Sequence, residues 1–263
     1  MKITPVSSLV LLLAALLPLA AGAAAPDRLL GYSGQALALS SSQLLYVEQH
    51  LLRERGGELA ERLVLYRCAD GTAFARKRID YSGAGLAPSF ELFDARFDYR
   101  EGLRRREDRL YAFAGIGAAA GESRLTSSAD LVADAGFEQL VQQRWQSLQA
   151  GESQRIDFVV PSRGESLSFR LRKVETLEIE GQPASRIRLS LSGFFGLFAP
   201  DIDVIYRDAD RWLLRFEGLT NIRASADSNL SARIEFPNTP AEQDGASWQA
   251  AELAPLAACP VGV

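Results

Sequence analysis

The chain has 263 residues, of which 47% are hydrophobic and 24% charged, and its formal net charge is −4. That apolar content can bury a core, which excludes a disordered chain, and the mild acidity offers no electrostatic footprint for nucleic acid. A single histidine, His50, and two cysteines exclude two-histidine zinc motifs and the facial triad of non-haem iron, so no metal and no cofactor is expected.

Taken in chain order, the first element is an export signal. Lys2 is the sole charge before Asp27, and the apolar run Val6–Ala20 leads into Ala21-Gly22-Ala23. A basic start, a short apolar core and an A-x-A site predict a secretory signal peptide over residues 1–23, too short to span a bilayer. No cysteine stands at the cut, so a lipoprotein anchor is not expected, and the mature chain begins near Ala24. Lys77 and Lys173 are the only lysines after Lys2, every other basic residue being Arg. That bias suggests a GC-rich bacterial genome and hence a periplasmic location. Cys68 and Cys259 are then an even pair in an oxidising compartment, for which a disulfide is the expectation.

Period-2 alternation predicts strands at 44–49 and 62–67, separated by Gly56-Gly57. An Asp70-Gly71 hairpin follows into Phe74–Tyr81, then Phe90–Tyr99 and Leu110–Phe113. Arg100–Arg109 reads as a charged turn, and Gly115–Gly121 as a small-residue loop. Between Asp134 and Gly151 the pattern changes. Phe137, Leu140, Val141, Trp145 and Leu148 fall on one helical stripe, with Asp134 placed to cap the start and Gly151 to end it. Strands resume at 155–158, 168–172, 186–191, 203–206, 213–217 and 232–236, with Gly181 turning one hairpin. Residues 24–237 read as one β-rich domain and 238–263 as a poorly ordered C-terminal tail.

The parts for chemistry are few. Glu48 and His50 lie on one face of a strand, as a carboxylate orienting an imidazole would, but no G-x-S-x-G elbow accompanies them, so His50 reads as a half-exposed strand residue and no catalytic residue is expected. Gly115-Ile116-Gly117 lacks the third glycine or Lys-Ser/Thr pair of a phosphate loop. Arg76-Lys77-Arg78 and Arg104-Arg105-Arg106 could meet anionic head groups, but they fit better as a solvated strand edge. The stretch Gly193–Pro200 places Phe194, Phe195, Leu197 and Phe198 where polar turn residues belong. It reads either as a flap over an apolar site or as a plug for the end of a barrel. Those four residues, with Trp145, are the candidate ligand-binding set.

The block Asp203-Val204-Ile205-Tyr206 followed by Trp212–Gly218 resembles the late strand pair of the periplasmic lipoprotein-carrier superfamily (LolA/LolB-like). Tyr66–Gly71, Phe74–Lys77, Phe216–Asn221 and Ile234–Pro237 resemble an uncharacterised family of exported proteobacterial proteins. The carrier resemblance implies an apolar cavity between a half-barrel and helices, suited to acyl chains, although this sequence offers one clear helix where carriers use more. The expected fold is mainly β or α+β: a curved antiparallel sheet or incomplete barrel with the 134–150 helix on its concave side. The expected function is non-catalytic binding or carriage of a hydrophobic or lipid-like ligand. Alternatives are an envelope protein-interaction or assembly module, meeting a protein or a membrane surface with a filled core, and a hydrolase centred on His50. An apolar cavity of ~300 Å³ or more separates the first from the second.

Overall fold

The computed structural model describes Met1 and residues 27–83, 85–193 and 200–261. Sixteen strands among them form one sheet. The first half is a meander of eight: β1 (Arg28–Leu37), β2 (Leu44–Arg55), β3 (Glu58–Arg67), β4 (Ala73–Asp80), β5 (Ser89–Asp94), β6 (Tyr99–Arg106), β7 (Arg109–Ile116) and β8 (Gly121–Leu125). A two-residue β9 (Leu131–Val132) and helices α1 (Gly136–Gln143) and α2 (Trp145–Gln149) then cross the molecule. The second half follows as β10 (Gln154–Val160), β11 (Glu165–Ile179), β12 (Gln182–Leu191), β13 (Ile202–Arg207), β14 (Leu213–Arg223) and β15 (Asn229–Glu235). Two-residue β16 (Ala241–Glu242) and α3 (Gly245–Leu253) end it.

The halves join where β1 pairs with β15, giving the order 8-7-6-5-4-3-2-1-15-14-13-12-11-10-9, with β16 on β1. Pairing is antiparallel throughout except between β9 and β10. The edges β8 and β9 are not hydrogen-bonded to each other, so the sheet is curved and unclosed. They nevertheless approach: a Cβ on Gly164, just past β10, would lie 2.5 Å from the Ser123 hydroxyl of β8. This is the incomplete barrel the alternation implies.

Local signals set the hairpins. Gly56-Gly57, Gly71 and Gly181 all take positive φ at the turns that join β2–β3, β3–β4 and β11–β12. The seam strand β1 escapes the alternation because its inward positions include Gly34. A side chain there would meet the ring of Phe236 at 2.6 Å.

The 134–150 stripe is helical, and Phe137, Leu140, Val141, Trp145 and Leu148 are all buried. They pack on Ile156, Leu171, Ile187, Leu189 and Val204 from the inner face of β10–β13. Three details differ from expectation. The helix breaks at Arg144 into two pieces. Asp134 does not cap it: its φ is +42°, its side chain accepts from the Ala135 N–H, and its other oxygen pairs with Lys77. Arg100–Arg109 is also not one long turn, since only Glu107 and Asp108 turn. It forms β6 and the start of β7, with Arg100, Arg104 and Arg106 outward over Phe93, Phe113 and Tyr111 at 4.3, 3.8 and 5.1 Å. Four arginines hid a strand whose inward positions are Tyr99, Glu101 and Leu103.

Of the expected tail, β16 and α3 are folded onto the sheet rather than loose. Asp244 caps α3 by accepting from the Ser247 N–H, and Trp248 and Ala251 bury against Leu51, Leu63, Leu65 and Ala73 on the outer face of β2–β4. Arg76 donates to the carbonyls of Ala251 and Ala254, and Cys68 is disulfide-bonded to Cys259 with Cα atoms 6.4 Å apart. Two apolar anchors and a covalent bond hold a segment too polar to announce itself by periodicity.

Candidate functional site

Alternation on β1–β6 sends polar side chains inward. Glu48 and His50 share a face as expected, with His50 Nε2 2.8 Å from Glu48 Oε2. His50 is not half-exposed, however. It is 6% exposed, its ring stacked on Tyr32 at 4.4 Å. Burial lowers its pKa below the usual 6.5, with Glu48 pulling the other way. The imidazole is therefore neutral, its Nδ1 buried without a partner. Among the described residues no hydroxyl or thiol is hydrogen-bonded to it.

Two ion pairs tie the helix to this polar half. Arg62 of β3, 6% exposed, donates to both carboxylate oxygens of Glu138 at 2.7 and 2.8 Å, and Lys77 of β4 meets Asp134 at 2.9 Å. Burial works against the charge on Arg62 and Lys77, but Glu138 and Asp134 hold both cations above their ordinary pKa values. Glu138, opposed by burial, is held low by Arg62. The run Arg76-Lys77-Arg78 thus splits across the sheet, with Lys77 inside. Deeper in, burial pushes Glu101 up to about 7, although the Tyr99 hydroxyl donates to it at 2.7 Å.

Where this polar half, the helix and β13–β14 meet at one end of the sheet, a half-open cavity of about 180 Å³ remains. Its aromatic wall is Tyr32, Trp212, Phe236 and Tyr206, with Trp212 edge-on to Tyr32 at 4.9 Å and Phe236 at 6.0 Å. Leu59, Leu213 and Ala135 complete the apolar lining, and Arg62, Glu138 and Arg211 supply charge. Four wall residues each carry a buried polar atom with no hydrogen-bond partner among the described residues: Arg62 Nε, Trp212 Nε1, and the hydroxyls of Tyr81 and Tyr206. Each such orphan costs about 1–3 kcal/mol. The aromatic and partly charged wall of this half-open space marks the candidate site.

Of the residues expected to bind ligand, Phe194, Phe195, Leu197 and Phe198 lie outside the described residues. Trp145 does not line the cavity. It sits one layer behind, 6.2 Å from Tyr206 and 5.9 Å from Arg211. Tyr32, Arg62, Tyr81, Arg211 and Trp212 escaped sequence reasoning. Trp212 entered only as the first residue of the block that resembles the carriers' late strand pair. A second, more open depression of about 360 Å³ lies beside α3, but Glu61, Asp80, Glu91, Glu252, Arg78 and Arg104 make its walls charged.

No family model and no curated protein matches the sequence. Two solved structures are similar to this chain. One is a beta-barrel-like protein of domain of unknown function DUF1849 from Brucella abortus, 4% identical, covering 83% of this chain and 98% of that one at a TM-score of 0.38. The other is a putative outer membrane lipoprotein-sorting protein domain from Vibrio parahaemolyticus, 12% identical, covering 83% of this chain and 86% of that one at a TM-score of 0.28. At these scores neither carries an argument about what this chain binds.

Proposed function

We propose that the protein binds a small hydrophobic ligand without transforming it, in the cavity walled by Tyr32, Trp212, Phe236 and Tyr206. The observation that carries this reading is a mostly apolar, half-open space walled by four aromatic side chains and bordered by Arg62, Glu138 and Arg211. The volume bounds the ligand. At about 180 Å³ the cavity falls short of the ~300 Å³ set for a lipid site. A cavity of ~150 Å³ holds benzene, so the occupant has roughly ten non-hydrogen atoms or inserts only its end. A whole acyl chain does not fit.

The disulfide and the expected signal peptide support an exported protein, with the periplasm as its proposed site of action. The interaction-module reading draws on a different observation: the helix and the ion pairs fill the rest of the interior. Mass spectrometry of organic extracts, from protein purified from its native envelope, separates the two. Recovery of one small molecule near one per chain supports binding, whereas protein that is empty in repeated preparations and co-purifies with another envelope protein supports the module.

A further inference from the structure

Arg211 is the one cavity-wall charge without an opposite partner. Arg62 and Glu138 neutralise each other through two hydrogen bonds. The Arg211 guanidinium donates to the Gln142 carbonyl, at 3.3 Å, and no carboxylate among the described residues lies within ion-pair distance of it. The two acids of its own turn are engaged elsewhere: Asp210 is bound through both oxygens to Arg207, and Asp208 accepts from Ser185. The turn also holds Arg211 at a φ of +59°, a left-handed conformation disfavoured for a side chain of this size. Held there, its guanidinium lies 5.9 Å from the Trp145 ring and at the wall of the cavity, next in sequence to Trp212.

We infer that the ligand is a small amphipathic monocarboxylate, its apolar body in the aromatic box and its carboxylate on Arg211. This rests on the binding function proposed above and names its ligand class. The chemistry follows from the wall. A guanidinium forms its best hydrogen bonds with a planar carboxylate, in pairs. Guanidinium groups can only donate, and Glu138, the one wall acid, is bound to Arg62, so the wall favours a ligand that brings acceptors to Arg211. A cationic ligand would face Arg211 with nothing to offset the repulsion, because Glu138 is already spent on Arg62.

Calorimetric titration of the mature protein with hexanoate and with 1-hexanol tests this. Hexanoate binds at least tenfold more tightly than hexanol; Arg211→Gln removes that advantage and leaves hexanol binding unchanged; Arg211→Lys, which keeps the charge, retains most of it. Equal affinity for the two probes, or hexanoate binding indifferent to Arg211→Gln, overturns the carboxylate assignment while the cavity remains a binding site. No heat from either probe in the wild-type protein overturns both readings.

Discussion

The two halves of the interior bury opposite chemistries against the same helix. On the β10–β13 side, Ile156, Leu171, Ile187, Leu189 and Val204 meet the apolar stripe of α1 and α2, and the contact is hydrophobic packing. On the β1–β6 side, Glu48, His50, Arg62, Lys77 and Glu101 face inward, and Asp134 and Glu138 from the helix segment reach across to them. Packing of the first kind stabilises in proportion to area and tolerates substitution. Buried ion pairs of the second kind add little net stability but are costly to break, and they fix one arrangement of the partners. The apolar half therefore holds the helix, and the polar half registers it. The cavity lies where the two meet, which is why its wall is both aromatic and charged.

The largest expected effect comes from breaking the polar half. Glu138→Ala leaves the buried Arg62 guanidinium unpaired and lowers stability by ~3–5 kcal/mol. The double variant Arg62→Leu/Glu138→Leu recovers most of that loss in chemical denaturation, the signature of a pair that specifies rather than stabilises. The apolar half behaves otherwise. Leu140→Ala costs ~2–5 kcal/mol as a cavity, and no second truncation rescues it.

A smaller effect depends on pH. Burial raises Glu101 to about 7, so between its unfolded value of 4.5 and about 7 the folded protein holds a proton that the unfolded chain releases. Its contribution is thus favourable at low pH and is lost as pH rises to about 7. Glu101→Gln removes that loss and raises stability at pH 8 by roughly 1–3 kcal/mol, read from urea midpoints. His50 slopes the other way. Its lowered pKa gives stability above 6.5 that is lost as pH falls through the folded value, and this slope remains in the Glu101→Gln variant. The smallest effect is His50→Ala. It removes the hydrogen bond to Glu48 and the stack on Tyr32, for about 1 kcal/mol in the same assay, with no change in ligand binding.

What the sequence made legible was local. Gly56-Gly57, Asp70-Gly71 and Gly181 mark turns by backbone demand alone, and the five apolar positions from Phe137 to Leu148 mark a helix by spacing. The cysteine pair was legible from compartment chemistry. The cavity was not, because Tyr32, Arg62, Arg211 and Trp212 come from strands and turns far apart in the chain that meet only through the β1–β15 seam and the helix. His50 was misjudged for a related reason: alternation gives its face, but only the packed helix and Tyr32 decide that this face is closed. The basic runs misled by composition, since Lys77 turns inward to Asp134 while Arg100, Arg104 and Arg106 lie flat on aromatic rings outside.

Three tryptophans report on the three environments: Trp145 in the apolar half, Trp212 in the cavity wall, and Trp248 on α3 against the outer face of the sheet. Their indole N–H resonances, followed by NMR while hexanoate is added, test the central claim directly. Binding in the cavity gives a large, saturable shift of Trp212, a small one of Trp145 relayed through Tyr206 and Arg211, and none of Trp248. A shift led by Trp248, or none at any of the three up to millimolar hexanoate, would contradict it.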